Sequence, residues 1–141
     1  MLKSALLHPE VLNALGSAGH GSKVLIADGN YPCSTTAGTN AQLVYLNLAP
    51  GMLSVTDVLS VLTQAIPIES VEVMQTADGS IPQIFAEFQE LVGRKTALMP
   101  IERFAFYEAV SDPCVCLVIA TGEQRVYANI LLTIGVIPPP R

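Results

Sequence analysis

His20 is the residue whose chemistry and setting stand out most in this sequence. It lies between Gly19 and Gly21, and Asp28 follows it eight residues later, after a short apolar stretch. An imidazole has an unperturbed pKa of about 6.5, so it can both accept and donate a proton near neutral pH. A carboxylate at the end of a strand in an α/β sheet is well placed to hold a polar ligand. The two residues indicate acid–base chemistry on a polar substrate, and the structural alternative is that His20 caps helix carbonyl groups.

Two later stretches add polar groups that suit a neutral polyol. Arg103 follows a predicted strand, and its guanidinium could donate hydrogen bonds to sugar hydroxyls or to carboxylates. Tyr127 and Asn129 are two residues apart, so in an extended chain their side chains would point the same way. The alternatives are a surface ion pair for Arg103 and a core-edge position for Tyr127 with its hydroxyl satisfied.

Several kinds of catalytic or metal site have no counterpart in the sequence. The second histidine is His8, and two histidines far apart do not form a metal site. No serine-nucleophile motif is present, and residues 19–21 lack the third glycine and the following helix of a dinucleotide-binding turn. Cys33, Cys114 and Cys116 fit neither a disulfide framework nor a zinc knuckle, and we expect the last two to pack on one face of a buried strand. The prediction is a reaction without metal or cofactor.

The composition predicts that other copies of the chain cover part of its surface. Charged residues make up 13% of the 141 residues and apolar residues 50%, whereas about 25% of residues are charged in an average domain. The apolar stretches 58–68 and 126–140 are short and contain proline, so neither is expected to cross a membrane. The start of the chain does not resemble a signal peptide. The net charge is −5 without a basic cluster, which argues against nucleic-acid and membrane partners. We therefore expect a cytoplasmic homo-oligomer.

The apolar pattern predicts strands that alternate with helices. Helices are expected at 9–18, 55–66, 82–92 and 103–110, and strands at 24–27, 42–48, 71–74, 97–100, 114–120 and 129–134. The polar stretch 29–40 is predicted to be a loop. This alternation is typical of a single layered α/β/α domain over residues 1–141, with a mixed, largely parallel sheet. Because the last two strands are close in sequence, part of the sheet is expected to be antiparallel.

Three ordered motifs make the chain similar to the RbsD/FucU family, which comprises D-ribose pyranases and L-fucose mutarotases. They are Gly19-His-Gly21 with Asp28, Arg103-Phe-Ala-Phe-Tyr-Glu108, and Thr121-Gly-Glu123 with Tyr127-Ala-Asn129. The resemblance covers nearly the whole chain and implies an RbsD-like fold. It implies that His20 is the proton donor, that Asp28 binds substrate, and that Tyr127, Ala128 and Asn129 contact the sugar. It also implies a decameric ring with sites at subunit interfaces.

The resemblance is closer to the fucose branch of this family. Arg103 precedes Phe-Ala-Phe-Tyr-Glu as in fucose mutarotases, whereas ribose pyranases tend to have histidine there, so Arg103 is a predicted sugar-binding residue. Asn30 stands where fucose enzymes often have histidine. The implied function is a mutarotase that opens and recloses the ring of L-fucose or a similar sugar by general acid–base catalysis. The alternatives are pyranose–furanose exchange on D-ribose, a sugar-binding or transport-accessory module without turnover, and a structural ring protein.

Overall fold

A six-stranded sheet runs through the computed structural model, which describes all 141 residues. In sequence order the strands are β1 Lys23–Ala27, β2 Gln42–Tyr45, β3 Ile68–Met74, β4 Leu98–Ile101, β5 Val115–Ala120 and β6 Ile130–Ile134. Their spatial order is β2-β5-β1-β6-β3-β4. Five strands point in one direction, and β6 is antiparallel to its two neighbours, β1 and β3. The carboxyl ends of the five parallel strands therefore lie at the same end of the sheet.

Five helices cover the two faces of this sheet. They are α1 Pro9–Gly16, α2 Cys33–Thr36, α3 Val55–Leu62, α4 Ile84–Val92 and α5 Arg103–Ser111. The apolar side chains of α1, α3 and α4 share one core cluster with Val24 and Ile26 of β1, whereas those of α2 and α5 share the other with Leu25 and Ala27. Alternate residues of β1 thus point into opposite layers. The predicted layered α/β fold with a mixed sheet is confirmed. None of the helices is long and apolar enough to cross a membrane.

The antiparallel part of the sheet arises where β6 enters between β1 and β3. Nearness in sequence favours β5 as the partner of β6, but β1 separates these two strands. The connecting segment crosses over the end of β1, where the Thr121 hydroxyl donates to the Ala27 carbonyl at 2.7 Å and the Gly29 N–H donates to the Glu123 carbonyl at 2.9 Å. This crossing brings Asn129, at the start of β6, beside the end of β1.

Side-chain caps fix the starts of α3 and α1, as the Glu102 carboxylate does for α5. Ser54 Oγ accepts the N–H of Asp57 at 3.1 Å, and Asp57 Oδ2 accepts the N–H of Ser54 at 3.0 Å, which makes a complete capping box at the start of α3. His8 Nδ1 accepts the N–H of Val11 at 3.4 Å, so this histidine caps α1. Both caps follow directly from the residue types at those positions.

The structure departs from the prediction in the stretch after β1 and at Cys114 and Cys116. The short helix α2 interrupts the stretch predicted to be a loop, and its first residue, Cys33, is buried. Cys114 and Cys116 do not share a face, because Cys114 packs in the layer of α5 and Cys116 in the layer of α1. The pairing register shifts between Lys23 and Val24, which leaves Cys116 as an extra residue on β5. Such a bulge breaks the alternation on which the prediction for the two cysteines depended.

A buried carboxylate ties the crossing segment to the helices. Glu123 is 5% exposed, and its Oε2 accepts the N–H of Val55 in the first turn of α3 at 3.2 Å. Arg125 donates to both carboxylate oxygens at 3.0 Å and also pairs with Glu87 of α4. Burial opposes ionisation of Glu123, but the hydrogen bonds from Arg125 and Val55 and the charge of Arg125 hold its pKa below the ordinary value.

Glu123→Gln is expected to destabilise the fold in a pH-dependent way. Folding lowers the pKa of Glu123, so its contribution to stability is fully present at neutral pH. This contribution is lost as the pH falls below 4.5, the ordinary pKa of the carboxyl, and through the lower pKa of the folded protein. At neutral pH the substitution should reduce the free energy of unfolding by about 1.5–3 kcal/mol, the range for hydrogen bonds to a charged group. Urea denaturation at neutral pH and at about pH 3.5 measures this. A difference between the two proteins that does not shrink in acid would contradict the assignment, and exposed Glu90→Gln is the control.

Candidate active site

A polar cleft of about 320 Å³ opens where the carboxyl ends of β1 and β3 meet the starts of β6 and α5. Its lining includes four residues predicted from the sequence: Asp28, Arg103, Tyr127 and Asn129. Five further residues complete the lining: Asn30, Tyr31, Met74, Tyr107 and Val126. We call this the Asp28 cleft. The fold therefore gathers side chains from positions as far apart as 28 and 129 in one small space.

Asp28 holds the walls of this cleft together. Its Oδ1 accepts the N–H groups of Asn30 and Tyr31 at 3.0 and 2.9 Å, and its Oδ2 accepts the Ala128 N–H and the Asn129 amide at 3.2 and 3.3 Å. The residue is 4% exposed, and burial raises its pKa although the four hydrogen bonds act in the opposite direction. A carboxylate offers about four acceptor positions, and the protein occupies four here. Asp28 therefore joins the loop after β1 to the start of β6, and direct substrate binding by its side chain stays a prediction.

Asn129 and Ala128 are fixed by the same residue. Asn129 Oδ1 accepts the N–H of Asp28 at 2.8 Å while its amide donates back to the carboxylate, so the two residues are joined in both directions. Ala128 is fully buried, with its methyl group in the core and its N–H bound to Asp28. Ala128 lies behind the cleft and does not line it. Ala128 therefore supports the cleft from behind, and a direct contact between Ala128 and a sugar stays a prediction.

Tyr127 reaches the cleft through a turn. Its backbone has φ +58°, in the left-handed region that residues with a side chain rarely adopt. The interpretation that Tyr127 and Asn129 lie in an extended chain is therefore wrong, although both line the cleft. The turn directs the phenol toward Ala77, whose N–H donates to its oxygen at 3.4 Å. Backbone conformations of this kind are concentrated at ligand sites.

Arg103 provides the charged hydrogen-bond donors of the cleft. It is the first residue of α5, and its Nε donates to the Tyr107 hydroxyl at 3.2 Å, which raises the pKa of the guanidinium further. The guanidinium carbon lies 5.6 Å from the centre of the Tyr107 ring, within cation–π range. Arg103 forms no salt bridge within the chain, contrary to the ion-pair alternative, and its two terminal nitrogens have no partner in the chain. They leave about four N–H donors for a ligand.

His20 lies at the opposite end of β1 from this cleft. It precedes the strand and Asp28 follows it, and the five residues of β1 span roughly 17 Å at about 3.3 Å per residue. Its Nε2 lies 2.7 Å from Oε2 of Glu69, and the two side chains are 58% and 47% exposed. It does not cap helix carbonyls, since α1 ends at Gly16 with Ser17 as its cap. A single chain therefore does not bring His20 to Asp28.

Glu69 is a candidate functional residue that the sequence analysis missed. It is the second residue of β3, which begins earlier than the predicted strand at 71–74. Its partner His20 is 49 positions away in sequence. The two meet because β6 pairs with both β1 and β3, and because the N–H of Gly21 donates to the Ile134 carbonyl at 2.9 Å. A carboxylate in this position fixes the orientation and tautomer of an imidazole.

Exposed apolar side chains border both ends of the molecule. Phe104 and Val126 are 64% and 62% exposed beside the Asp28 cleft. Val136 and Ile137 are 62% and 76% exposed where the chain leaves β6, next to the turn that carries His20. Apolar side chains grouped on a surface mark sites of protein–protein contact.

The three-layer fold and the polar cleft at the ends of its strands define a small α/β protein with a site for a polar ligand. The sequence profile of the RbsD / FucU transport protein family matches residues 1–137. The chain belongs to this family.

Relatives in both branches of the family are similar to the chain over nearly its whole length. The fucose mutarotase of Danio rerio is 29% identical, over 96% of this chain and 92% of its own length. The crystal structure of the fucose mutarotase in complex with L-fucose from Streptococcus pneumoniae has a TM-score of 0.84 and 26% identity, covering 98% of this chain and 100% of that one. Bacillus subtilis RbsD complexed with D-ribose has a TM-score of 0.82 and 27% identity, with the same coverage of 98% and 100%. The predicted RbsD-like fold is confirmed.

Proposed function

We propose that the protein is a cofactor-independent monosaccharide mutarotase, an isomerase that acts on L-fucose or a similar sugar. The observation that carries this proposal is the polar Asp28 cleft in a fold shared over nearly the whole chain with the L-fucose-bound mutarotase of Streptococcus pneumoniae. The cleft is small, about 320 Å³. Its available groups are the Arg103 donors, the Asn30 amide, and the hydroxyl protons of Tyr107 and Tyr127, whose oxygens already accept hydrogen bonds. These groups suit the hydroxyls of one sugar ring.

Mutarotation requires only the movement of protons. The bond between the anomeric carbon and the ring oxygen breaks while the ring oxygen gains a proton. The anomeric hydroxyl loses a proton, and its electrons form the carbonyl of the open chain. Closure on the other face of the carbonyl reverses these steps, so no electron or group leaves the sugar. General acid–base catalysis accelerates such a step by about 10²–10⁴-fold, which is about 3–5.5 kcal/mol of barrier.

We infer that His20 meets the cleft of a neighbouring copy of the chain. Within one chain the imidazole is roughly 17 Å away, so a second copy is needed to complete the site. The apolar pair Phe104 and Val126 borders the cleft, and Val136 and Ile137 lie near His20, which supports a head-to-tail contact between these two ends. Head-to-tail contacts close into rings when the rotation between copies permits. The decameric ring with interfacial sites, and its location in the cytoplasm, stay predictions.

In the completed site each group has a distinct task. His20 exchanges a proton with the ring oxygen or the anomeric hydroxyl, and Glu69 holds the imidazole in position. Arg103 and Tyr127 hold the sugar ring, together with what remains free of the Asn129 amide. Asp28 keeps these groups in place through its four hydrogen bonds.

Pyranose–furanose exchange on D-ribose is the second candidate function. The likeness to the D-ribose complex of Bacillus subtilis RbsD favours it. Saturation-transfer NMR on the anomers of L-fucose and D-ribose separates the candidates, because pyranose and furanose forms give separate signals. Calorimetric binding without faster exchange of either sugar would instead support a sugar-binding module that does not catalyse.

Glu69→Gln is expected to slow anomer exchange by about tenfold, a fraction of the 10²–10⁴-fold assigned to His20. The glutamine keeps the size of the side chain but removes the charge that holds the imidazole. Exposed Glu90→Gln is the matched control. An unchanged rate in Glu69→Gln would show that the contact with His20 has no part in the reaction.

A further inference from the structure

We propose that a second cleft, next to the Asp28 cleft, binds an additional sugar ring, so that the protein also accepts reducing disaccharides. This proposal rests on the mutarotase function proposed above. The second cleft is about 480 Å³ and lies at the carboxyl ends of β1, β2 and β5. We call it the carboxamide cleft, after the side chains of Asn30, Asn47 and Gln124 in its lining.

Asn30 joins the two clefts, because it lines both. Its N–H donates to Asp28 Oδ1 at 3.0 Å, so the carboxylate that organises the first cleft also places this residue. The preceding residue, Gly29, lies against the Glu123 carbonyl, where a Cβ atom would be only 3.1 Å from the oxygen. The backbone of Asn30 is therefore fixed on both sides, while its amide is exposed and has no hydrogen bond within the chain.

The chemistry of the carboxamide cleft suits a neutral ligand rich in hydroxyl groups. Asn30, Asn47 and Gln124 are exposed, and none of their amides is hydrogen-bonded within the chain. Each amide both donates and accepts, as a sugar hydroxyl does. The acidic residue in the lining, Glu123, is 5% exposed and has both oxygens bound by Arg125. The lining therefore has no free charge that could bind a phosphate or a cation. Two of its ten residues are hydrophobic, which is too few to bind an apolar ligand.

Backbone hydrogen bonds hold the walls of the carboxamide cleft in place. The N–H of Gly51 donates to the Gly122 carbonyl at 2.6 Å, and the N–H of Gly122 donates to the Leu53 carbonyl at 2.9 Å. The loops are so close that a Cβ atom on Gly122 would lie 2.4 Å from the Ala49 carbonyl oxygen. The segment around Asn47 is thus tied directly to the segment that carries Gln124. A site formed in advance avoids the cost of ordering its loops when the ligand binds.

The reaction leaves room for a second ring. Ring opening needs a free anomeric hydroxyl only on the ring that occupies the Asp28 cleft. A second ring linked through another hydroxyl does not block the chemistry. If that hydroxyl points toward Asn30, the second ring enters the carboxamide cleft directly.

The test uses the assembled native protein and three probes: D-galactose linked to position 2, 3 or 4 of L-fucose at the reducing end. Saturation-transfer NMR measures anomer exchange of L-fucose and of each disaccharide. At least one disaccharide should show a KM several-fold below that of L-fucose. The double variant Asn47→Ala/Gln124→Ala should raise that KM about tenfold, as expected for the loss of two neutral hydrogen bonds. It should leave exchange of L-fucose within about twofold, because neither residue lines the Asp28 cleft.

The control is Gln64→Ala, which removes an exposed carboxamide beyond the carboxyl end of α3. Equal KM values for all disaccharides in the native protein and the double variant would overturn the proposal, as would native protein that exchanges L-fucose but none of the disaccharides. If native protein does not accelerate L-fucose exchange at all, the mutarotase function itself fails. In that case the second cleft is still identified if saturation transfers from the native protein to the galactose protons but not from the double variant. If native protein shows no such transfer, the proposal of a second cleft is overturned.

Discussion

Replacing His20 with alanine is expected to slow the exchange of sugar anomers by about 10²–10⁴-fold, the contribution of one general acid–base group. The substitution removes the side chain that we propose passes a proton to and from the sugar. The cleft of the same chain stays intact, because His20 lies at the opposite end of β1. Binding of L-fucose, measured by calorimetry, should therefore weaken far less than exchange slows. Saturation-transfer NMR on the fucose anomers measures the rate.

His8→Ala is the matched control for this substitution. His8 caps α1 through its Nδ1 atom, so its loss should cost about 0.5–2 kcal/mol of stability and leave exchange unchanged. Exchange that continues at the native rate in His20→Ala would remove His20 from the mechanism. Equal losses of exchange in both variants would point to a general effect on the assembly.

The second large effect is expected for Asp28→Asn. The asparagine turns one carboxylate oxygen into an amide group that faces N–H donors, so two buried donors lose their acceptor. At about 1–3 kcal/mol for each of the two unsatisfied groups, the free energy of unfolding should fall by about 2–6 kcal/mol. Because the same bonds place Asn129 and the loop after β1, sugar binding should fall with stability. Urea denaturation and calorimetry with L-fucose measure the two quantities.

Asp112→Asn provides the comparison for Asp28. This aspartate is exposed and accepts one N–H, that of Cys114, at 2.8 Å. Its replacement should change stability by less than about 1 kcal/mol and leave binding unaffected. An Asp28→Asn protein as stable as the native one, but unable to bind sugar, would show that Asp28 is a direct ligand and not an organiser of the cleft.

Local patterns in the sequence predicted much of the fold. The caps at His8 and Ser54 depend on residues within three positions of each other, so they follow from the sequence directly. The buried strands β1 and β5 are continuous apolar runs, and the stop after α4 is a glycine, Gly93, with φ +91°. Such signals act over a few residues, and the sequence contains them in full.

The features that could not be predicted depend on contacts far apart in the chain. The position of β6 beside β1 follows from the crossing of the segment after β5, which no local pattern marks. The same crossing brings Glu69 to His20 and makes Asp28 a partner of Asn129. Tyrosine disfavours the left-handed backbone conformation that Tyr127 adopts, so the sequence gives no sign of this turn. The bulge at Cys116 breaks the regular alternation of side chains between the two faces of the sheet. Four of the predicted site residues line one cleft, whereas Ala128 lies behind it and His20 lies at the far end of β1. Their roles in sugar binding and catalysis stay predictions.

The central claim is that each active site combines the cleft of one chain with His20 of another, and mixed oligomers test it most directly. His20→Ala and Arg103→Ala chains carry different affinity tags, are produced together, and are purified through both tags. Each variant alone should be nearly inactive at low concentrations of L-fucose. In mixed oligomers half of the clefts are native and half of those face a native His20, so about a quarter of the native exchange rate should return. A mixture that shows only the average of the two variants would contradict a shared site.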